Sequence, residues 1–435
     1  MTELNNETSS NDAAIEEKNA RIAASMVVDI KNAEEYERRS TEISDSQFFE
    51  TRRWKGDELA RAVGIQTKAA IYHAEGDGRL PADYKDIRND KGYSLAMVNK
   101  ARAAFGTSPG RNLGLGDSCV VFSFTNFKGG CYKTLTTQMT AAAAATEGFK
   151  VLVVDLDAQG TLSFNFGHTP DVAVKDGDTL GPALCKDSDD IDLSDVKPLI
   201  RQTYIDGLDI IPANMFLQTV EYTLQSAIFE TGMERKSDEQ IALDRKSLFL
   251  RVDHIIKILR PLYDVIFLDG TPSLGMLPLG ITFASDRVIV PCPTESPDYM
   301  ATCTFWEMLA SRFDMMNGFP GSPHPLPELS VLPTRFGVGT RNNTHASQTI
   351  LSEAIYPTFT AKVMKNVVRK HDSAISQQNL WRRTMFDVPY NAMRVKKEAH
   401  IKCVDNYQDI WAEIRDSFIY PIWPSTLYID SAARI

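Results

Sequence analysis

Long apolar runs are missing from this sequence, and none reaches the length needed to cross a bilayer as a helix. Its polar opening, MTELNNETSSND, has none of the apolar core of a signal peptide. Cysteine is scarce: six residues are scattered among 435 with no C-x-x-C pair, so neither a zinc cluster nor a disulfide framework is expected. A reducing, cytoplasmic compartment is the simple reading. Positive charge is in deficit: 47 Lys and Arg against 57 Asp and Glu leave a net charge of -10. That excludes a uniformly basic, DNA-coating protein, but not local basic patches, because screening limits how far charges act. What remains is ordinary globular composition, 43% hydrophobic and 24% charged. The length suffices for a full α/β domain and one or two smaller units.

Residues 119–134, CVVFSFTNFKGGCYKT, organise the rest. Cys119–Asn126 reads as a buried strand, Gly129 and Gly130 as a turn, and Lys133-Thr134 as the start of a Thr/Ala-rich helix ending at Gly148. Strand, glycine turn, Lys-Thr, helix is the layout of a phosphate-binding loop. The glycines let backbone N–H groups approach phosphate oxygens, and the helix start adds a positive dipole end. Lys133 can reach the β- and γ-phosphates, and Thr134 can place its hydroxyl on Mg²⁺. The usual pattern would put Gly at 127 and 132, where this chain has Phe127 and Tyr132, and it adds a second lysine, Lys128. Lys128-Gly-Gly-x-x-Lys133-Thr134 resembles the deviant Walker A loop of the ParA/MinD ATPase family. The resemblance implies ATP or ADP with Mg²⁺ as ligands, held by Lys128, Gly129, Gly130, Cys131, Tyr132, Lys133, Thr134 and Thr136. It also implies that Lys128 contacts nucleotide across a dimer interface.

Two further strands end in acids. Lys150–Asp157 runs apolar into Asp155 and Asp157, followed by Ala158-Gln159-Gly160. Acids at strand ends lie at the carboxyl edge of a parallel sheet, where ligands bind. The string resembles the family's D-x-D-P-Q motif with Ala158 in place of Pro. That implies Asp157 as the residue orienting the attacking water and Asp155 as support for the metal. Tyr263–Asp269, four apolar residues leading into Asp269 and Gly-Thr-Pro-Ser, reads as a Walker B strand whose acid holds a Mg²⁺-bound water. Strands are also expected at 207–212, 286–291 and 329–334. By resemblance, Pro333-Thr334 borders the nucleotide base. The acidic stretch 171–197 reads as surface loop, and 215–260 as mostly helical.

The flanks divide as residues 1–45, a polar tail and a helix with a narrow apolar stripe (Ile15, Ile22, Met26, Ile30), either packed on its own domain or dimerising; 46–106, a small helical unit; and 107–118, a Gly/Ser/Pro linker. Within 46–106, Asp57–Gly64 and Thr67–Glu75 are two short helices about a Gly-containing turn, with a wing-like turn near Asn89–Tyr93 and a third helix capped by Ser94. The unit resembles the winged helix-turn-helix of MerR-like regulators and type Ia ParA proteins. Gln66, Lys68, Tyr72 and His73 would then face DNA, with Arg79 and Lys91 near phosphates. Basic residues collect again between 340 and 397. Of these Lys362, Lys365, Arg382 and Arg383 are the candidates for nonspecific DNA contact, within an ATPase domain set at 119–400. Residues 401–435 form a C-terminal helix and tail with few cations, which argues against a membrane anchor.

The expected fold class is α/β, a P-loop NTPase-type, mostly parallel sheet with helices on both faces, plus the N-terminal helical winged domain. The resemblance implies a DNA-segregation ATPase that forms an ATP-dependent homodimer and associates with the nucleoid through nonspecific DNA. It further implies stimulation by a ParB-like centromere-binding protein and autoregulation of its own operon through operator DNA. An ATP-responsive repressor without a segregation role and a MinD-like positioning ATPase are the alternatives.

Overall fold

The computed structural model describes residues 18–32, 35, 51–80, 92–233, 236–273, 275–337 and 341–426. The chain divides into two compact units, 1–50 and 51–435. In the first, residues 18–32 are helical, with Ile22, Met26 and Ile30 all exposed.

The second unit begins with three helices, α1 (Gly56–Val63), α2 (Lys68–Gly76) and α3 (Leu95–Phe105). Gly64 closes α1 in the left-handed conformation at φ 80°, and the Ser94 hydroxyl accepts the Met97 N–H at the start of α3. Helix α1 starts one residue before Asp57, with Lys55 at the N-cap. Trp54, Leu59, Val63, Ile71, Leu80 and Val98 form a small core of their own. Residues 89–91 of the wing-like turn, Lys91 among them, lie outside the described residues, while Tyr93 forms an isolated antiparallel bridge with Trp54.

The body is a seven-stranded sheet in the order β3-β4-β2-β5-β1-β6-β7. The strands are β1 (Val120–Phe124), β2 (Val151–Leu156), β3 (Arg201–Gln202), β4 (Leu208–Ile211), β5 (Val265–Gly270), β6 (Arg287–Pro293) and β7 (Glu328–Thr334). All pairings are parallel except β3 with β4. Buried on both faces, β1, β2 and β5 are near-continuous apolar runs, as a helix-covered parallel sheet requires. The helices that frame the site are α4 (Lys133–Glu147) after β1, α5 (Thr161–Asn165) after β2, α6 (Phe216–Thr231) after β4, α7 (Met276–Ala284) after β5, α8 (Ser296–Asn317) after β6, and α9 (Asp372–Trp381) and α10 (Lys397–Ile414) after β7.

The stretch 171–197 is not open loop. It carries short helical turns that bury Leu180, Leu184 and Val196 in the main core. A boundary at 400/401 falls inside α10, which packs along α4 with Tyr407, Trp411 and Ile414 buried. Arg102 of α3, itself buried, donates to the Ala62 carbonyl of the α1 region and to the Thr146 carbonyl of α4, tying the leading helices to the body.

Candidate functional site

The carboxyl ends of β1, β2 and β5 converge on the start of α4. After Phe124 the chain turns at Gly130, φ 74°, and again at Tyr132, φ 73°, before α4 begins at Lys133. Tyr132 stands where the regular loop has glycine and takes the same left-handed conformation, a strain of about 1 kcal/mol for a residue with a Cβ. Gly129 has an ordinary φ, and among the described residues beyond its chain neighbours a Cβ built on it would meet no atom within 4 Å. Nothing in the folded chain demands glycine there, and the open space beside it suits a ligand approaching the backbone. Lys133 is buried with its Nζ 3.2 Å from the Lys128 carbonyl.

Asp155 and Asp269 sit directly opposite each other on β2 and β5, both fully buried. Burial pushes both carboxyls well above the ordinary range. At Asp269 the neighbouring Asp155 adds to the rise, and the Thr134 hydroxyl opposes it. Asp269 Oδ1 accepts the Thr137 hydroxyl at 3.2 Å, while its buried Oδ2 has no hydrogen-bond partner among the described residues. An orphaned carboxylate oxygen beside a Thr hydroxyl fits a hard divalent cation, which takes oxygen ligands. Asp155 does not fit that role. Its Oδ1 accepts the Asp157 N–H at 3.1 Å, and its Oδ2 accepts the Ser163 N–H at 2.9 Å and hydroxyl at 2.7 Å. Both oxygens are occupied in holding the 157–163 turn, so Asp155 is corrected from metal ligand to scaffold. Asp157 stands half-buried at the lip, its Oδ1 accepting the Gln159 N–H at 3.0 Å.

Two other assignments change, and a third is narrowed to backbone. Thr136 is fully buried and gives its hydroxyl to the Tyr132 carbonyl at 2.6 Å, a bond inside the helix with no surface toward a ligand. Pro333 and Thr334 are buried too, and Thr334 donates to the Cys131 carbonyl at 3.1 Å, so this pair braces the loop instead of bordering a base. Cys131 itself is buried, with its thiol 3.1 Å from the Lys128 carbonyl, and offers the site backbone only.

Lys128 is half-exposed, and its Nζ lies 3.0 Å from Asp298 Oδ1 at the start of α8. Asp298 also pairs with Arg335 at 3.5 Å, Arg335 with Glu295 at 3.3 Å, and Glu295 with Lys370 at 2.8 Å. Sequence reading passed over this ladder. The signal was the acids of Glu295-Ser-Pro-Asp298 opening a helix just past a strand end.

The candidate DNA-facing residues separate into two groups. On and beside α2, Gln66, Lys68, Tyr72, His73 and Arg79 are all exposed, and Lys68 and Tyr72, four apart, share a face of the helix. Arg79 is ion-paired to Asp77 at 2.7 Å. In the basic region Lys362 and Lys365 are exposed, with Lys362 5.2 Å above the Trp306 ring. Arg382 and Arg383 are not surface cations. Arg382 is buried over the Phe164 ring at 3.8 Å, and Arg383 lies over Tyr204 and pairs with Asp387 at 3.3 Å. Both are excluded from a phosphate-contact role because their guanidinium groups pack inward.

A parallel sheet with a strand–glycine-loop–helix unit at its centre, and a buried acid at the neighbouring strand end, defines a P-loop NTPase-type fold. A family model described as an AAA domain matches residues 119–310. Protein SopA of Escherichia coli strain K12 is 31% identical over 381 residues, covering 86% of this chain and 90% of that protein. A ParA family protein of Chlamydia trachomatis serovar D is 27% identical over 274 residues, 61% of this chain and 89% of that one. A solved structure of a partition protein aligns with a TM-score of 0.57 at 17% identity over 89% of this chain and 98% of that one, a likeness of fold. The chain belongs to the ParA family of partition proteins.

Proposed function

We propose that this protein is a DNA-partitioning ATPase whose subunits pair on ATP and bind nonspecific DNA as a dimer. The observation that carries the reading is the buried, unpartnered Asp269 oxygen beside Thr134, one helix start away from Lys133. Lys133 and the loop N–H groups hold the β- and γ-phosphates, and Thr134 and Asp269 hold the cation. Magnesium, when bound there, neutralises charge on the phosphate oxygens. Asp157 accepts a hydrogen bond from the attacking water and so orients it. Lys128 of each subunit reaches the nucleotide of the other, which makes pairing depend on the γ-phosphate and lets ATP stabilise the dimer by mass action.

Lys362 and Lys365 then contribute to a DNA-binding face, doubled in the dimer. The exposed side of α2, with Lys68, Tyr72 and His73, and Gln66 in the turn before it read operator DNA. A ParB-like centromere-binding protein stimulates hydrolysis and release. The deciding experiment is ATP turnover with and without nonspecific DNA and the product of the neighbouring gene. Slow basal turnover raised by both supports a partition ATPase. Turnover indifferent to both would leave only a nucleotide-responsive DNA binder.

A further inference from the structure

Lys128 is gripped at both ends by one closed ring of bonds. Its backbone N–H donates to Asn126 Oδ1 at 3.1 Å. The Asn126 amide donates to the Thr302 hydroxyl at 3.0 Å and to the Pro291 carbonyl of β6 at 2.9 Å. Thr302 donates in turn to the Asp298 carbonyl at 2.9 Å, and the Asp298 carboxylate meets the Lys128 ammonium at 3.0 Å. Asn126 is 2% exposed, Thr302 0% and Asp298 6%, so none of the three is loosened by solvent. Buried polar groups linked in this way specify one arrangement of their surroundings.

We propose that Asn126 and Thr302 are positioning residues for Lys128: the ring locks the first turns of α8 to the phosphate loop and so sets the place from which the ammonium leaves Asp298 to reach a partner's phosphate. The inference rests on the reading of Lys128 as the residue that acts across the dimer. Asn126 uses both amide hydrogens and its carbonyl oxygen inside the protein and is buried, so it acts through Lys128 and not on nucleotide. Thr302 stands a full helical turn beyond Asp298, and its hydroxyl joins α8 to Asn126.

The test uses Thr302→Val, which keeps the side-chain shape and removes the hydroxyl, with Thr302→Ser as the conservative rescue. Two readouts are taken: ATP-dependent dimer mass by light scattering, and kcat and KM for ATP. Thr302→Val should weaken dimerisation and lower kcat by about tenfold with KM nearly unchanged, the scale expected when one buried hydrogen-bond partner is lost. Thr302→Ser should restore both. In a Lys128→Gln background the Thr302→Val loss should vanish, because the residue it positions is gone. A loss that persists undiminished in that background, or none in the wild-type background, overturns the inference alone. Lys128→Gln behaving as wild type overturns the reading of Lys128 and the inference with it. A melting temperature within a few degrees of wild type shows that the fold is intact, and a large drop assigns Thr302 to stability and counts against the proposal.

Discussion

Between Asn126 and Lys133 all residues but Phe127 and Gly129 are held by a named polar bond or by a left-handed backbone angle. The helices α1, α2 and α3 are instead packed chiefly through apolar side chains, Leu59, Val63, Ile71 and Val98, with fewer polar bonds, such as those of Arg102 to the Ala62 carbonyl and Tyr93 to Glu75. The two regions meet at opposite ends of α4. Lys133 opens this 15-residue helix at the phosphate loop, and the Thr146 carbonyl near its end holds Arg102 of the leading helices. Glu147, the last residue, binds Trp411 at 2.6 Å and also Arg415, so the C-terminal helix closes on the same point. A rod of roughly 22 Å therefore separates the phosphate loop from the leading helices. A region made of specific bonds should fail by losing function at constant stability. A region made of packing should fail the other way.

The largest expected effect tests the first half. Lys133→Gln should weaken ATP affinity on the order of a hundredfold or more while thermal unfolding stays near wild type, measured by calorimetric titration and melting. The converse is Ile71→Ala, fully buried between the leading helices, which should cost about 2–5 kcal/mol of their stability and leave turnover unchanged. If turnover falls in parallel, the two regions are one cooperative unit.

Arg102→Ala strips partners from the Ala62 and Thr146 carbonyls and should cost about 1–3 kcal/mol. Proteolysis of the leading helices should quicken while the body resists. In the site, Asp155 and Asp269 bind protons more tightly folded than unfolded, because burial raises both. Their share of stability is full in acid and is lost as pH rises from the ordinary carboxylate range through the folded values. Magnesium favours the deprotonated form, so its affinity should climb over the same range. Denaturant melts without metal should show this fall, and Asp269→Asn should flatten it. The smallest effect is at the surface: Lys365→Ala should lower the salt slope of nonspecific DNA binding by about one unit. Arg382→Ala should leave that slope alone and lower stability, since its guanidinium lies over Phe164.

How much of this was legible beforehand follows the same divide. The phosphate loop, the two acid-ended strands and the parallel sheet could be read from short strings, because a glycine turn or an apolar run ending in Asp has few structural uses. Direction of a side chain has no such signature. Arg382 and Arg383 look like Lys362 and Lys365 in the chain, and only packing against Phe164 and Tyr204 tells them apart. Asp155 looked like a ligand because nothing in the string reveals that Ser163, eight residues on, folds back to occupy it. The ring through Asn126, Thr302 and Asp298 joins segments 176 residues apart and was beyond any local pattern.

The central claim is that triphosphate joins two subunits through Lys128. The direct measurement is light scattering of the Asp157→Ala protein, its hydrolysis blocked, with ATP and magnesium. A dimer that reverts to monomer with ADP, and that Lys128→Gln prevents, is the predicted result. A protein that stays monomeric with ATP and magnesium present contradicts the account.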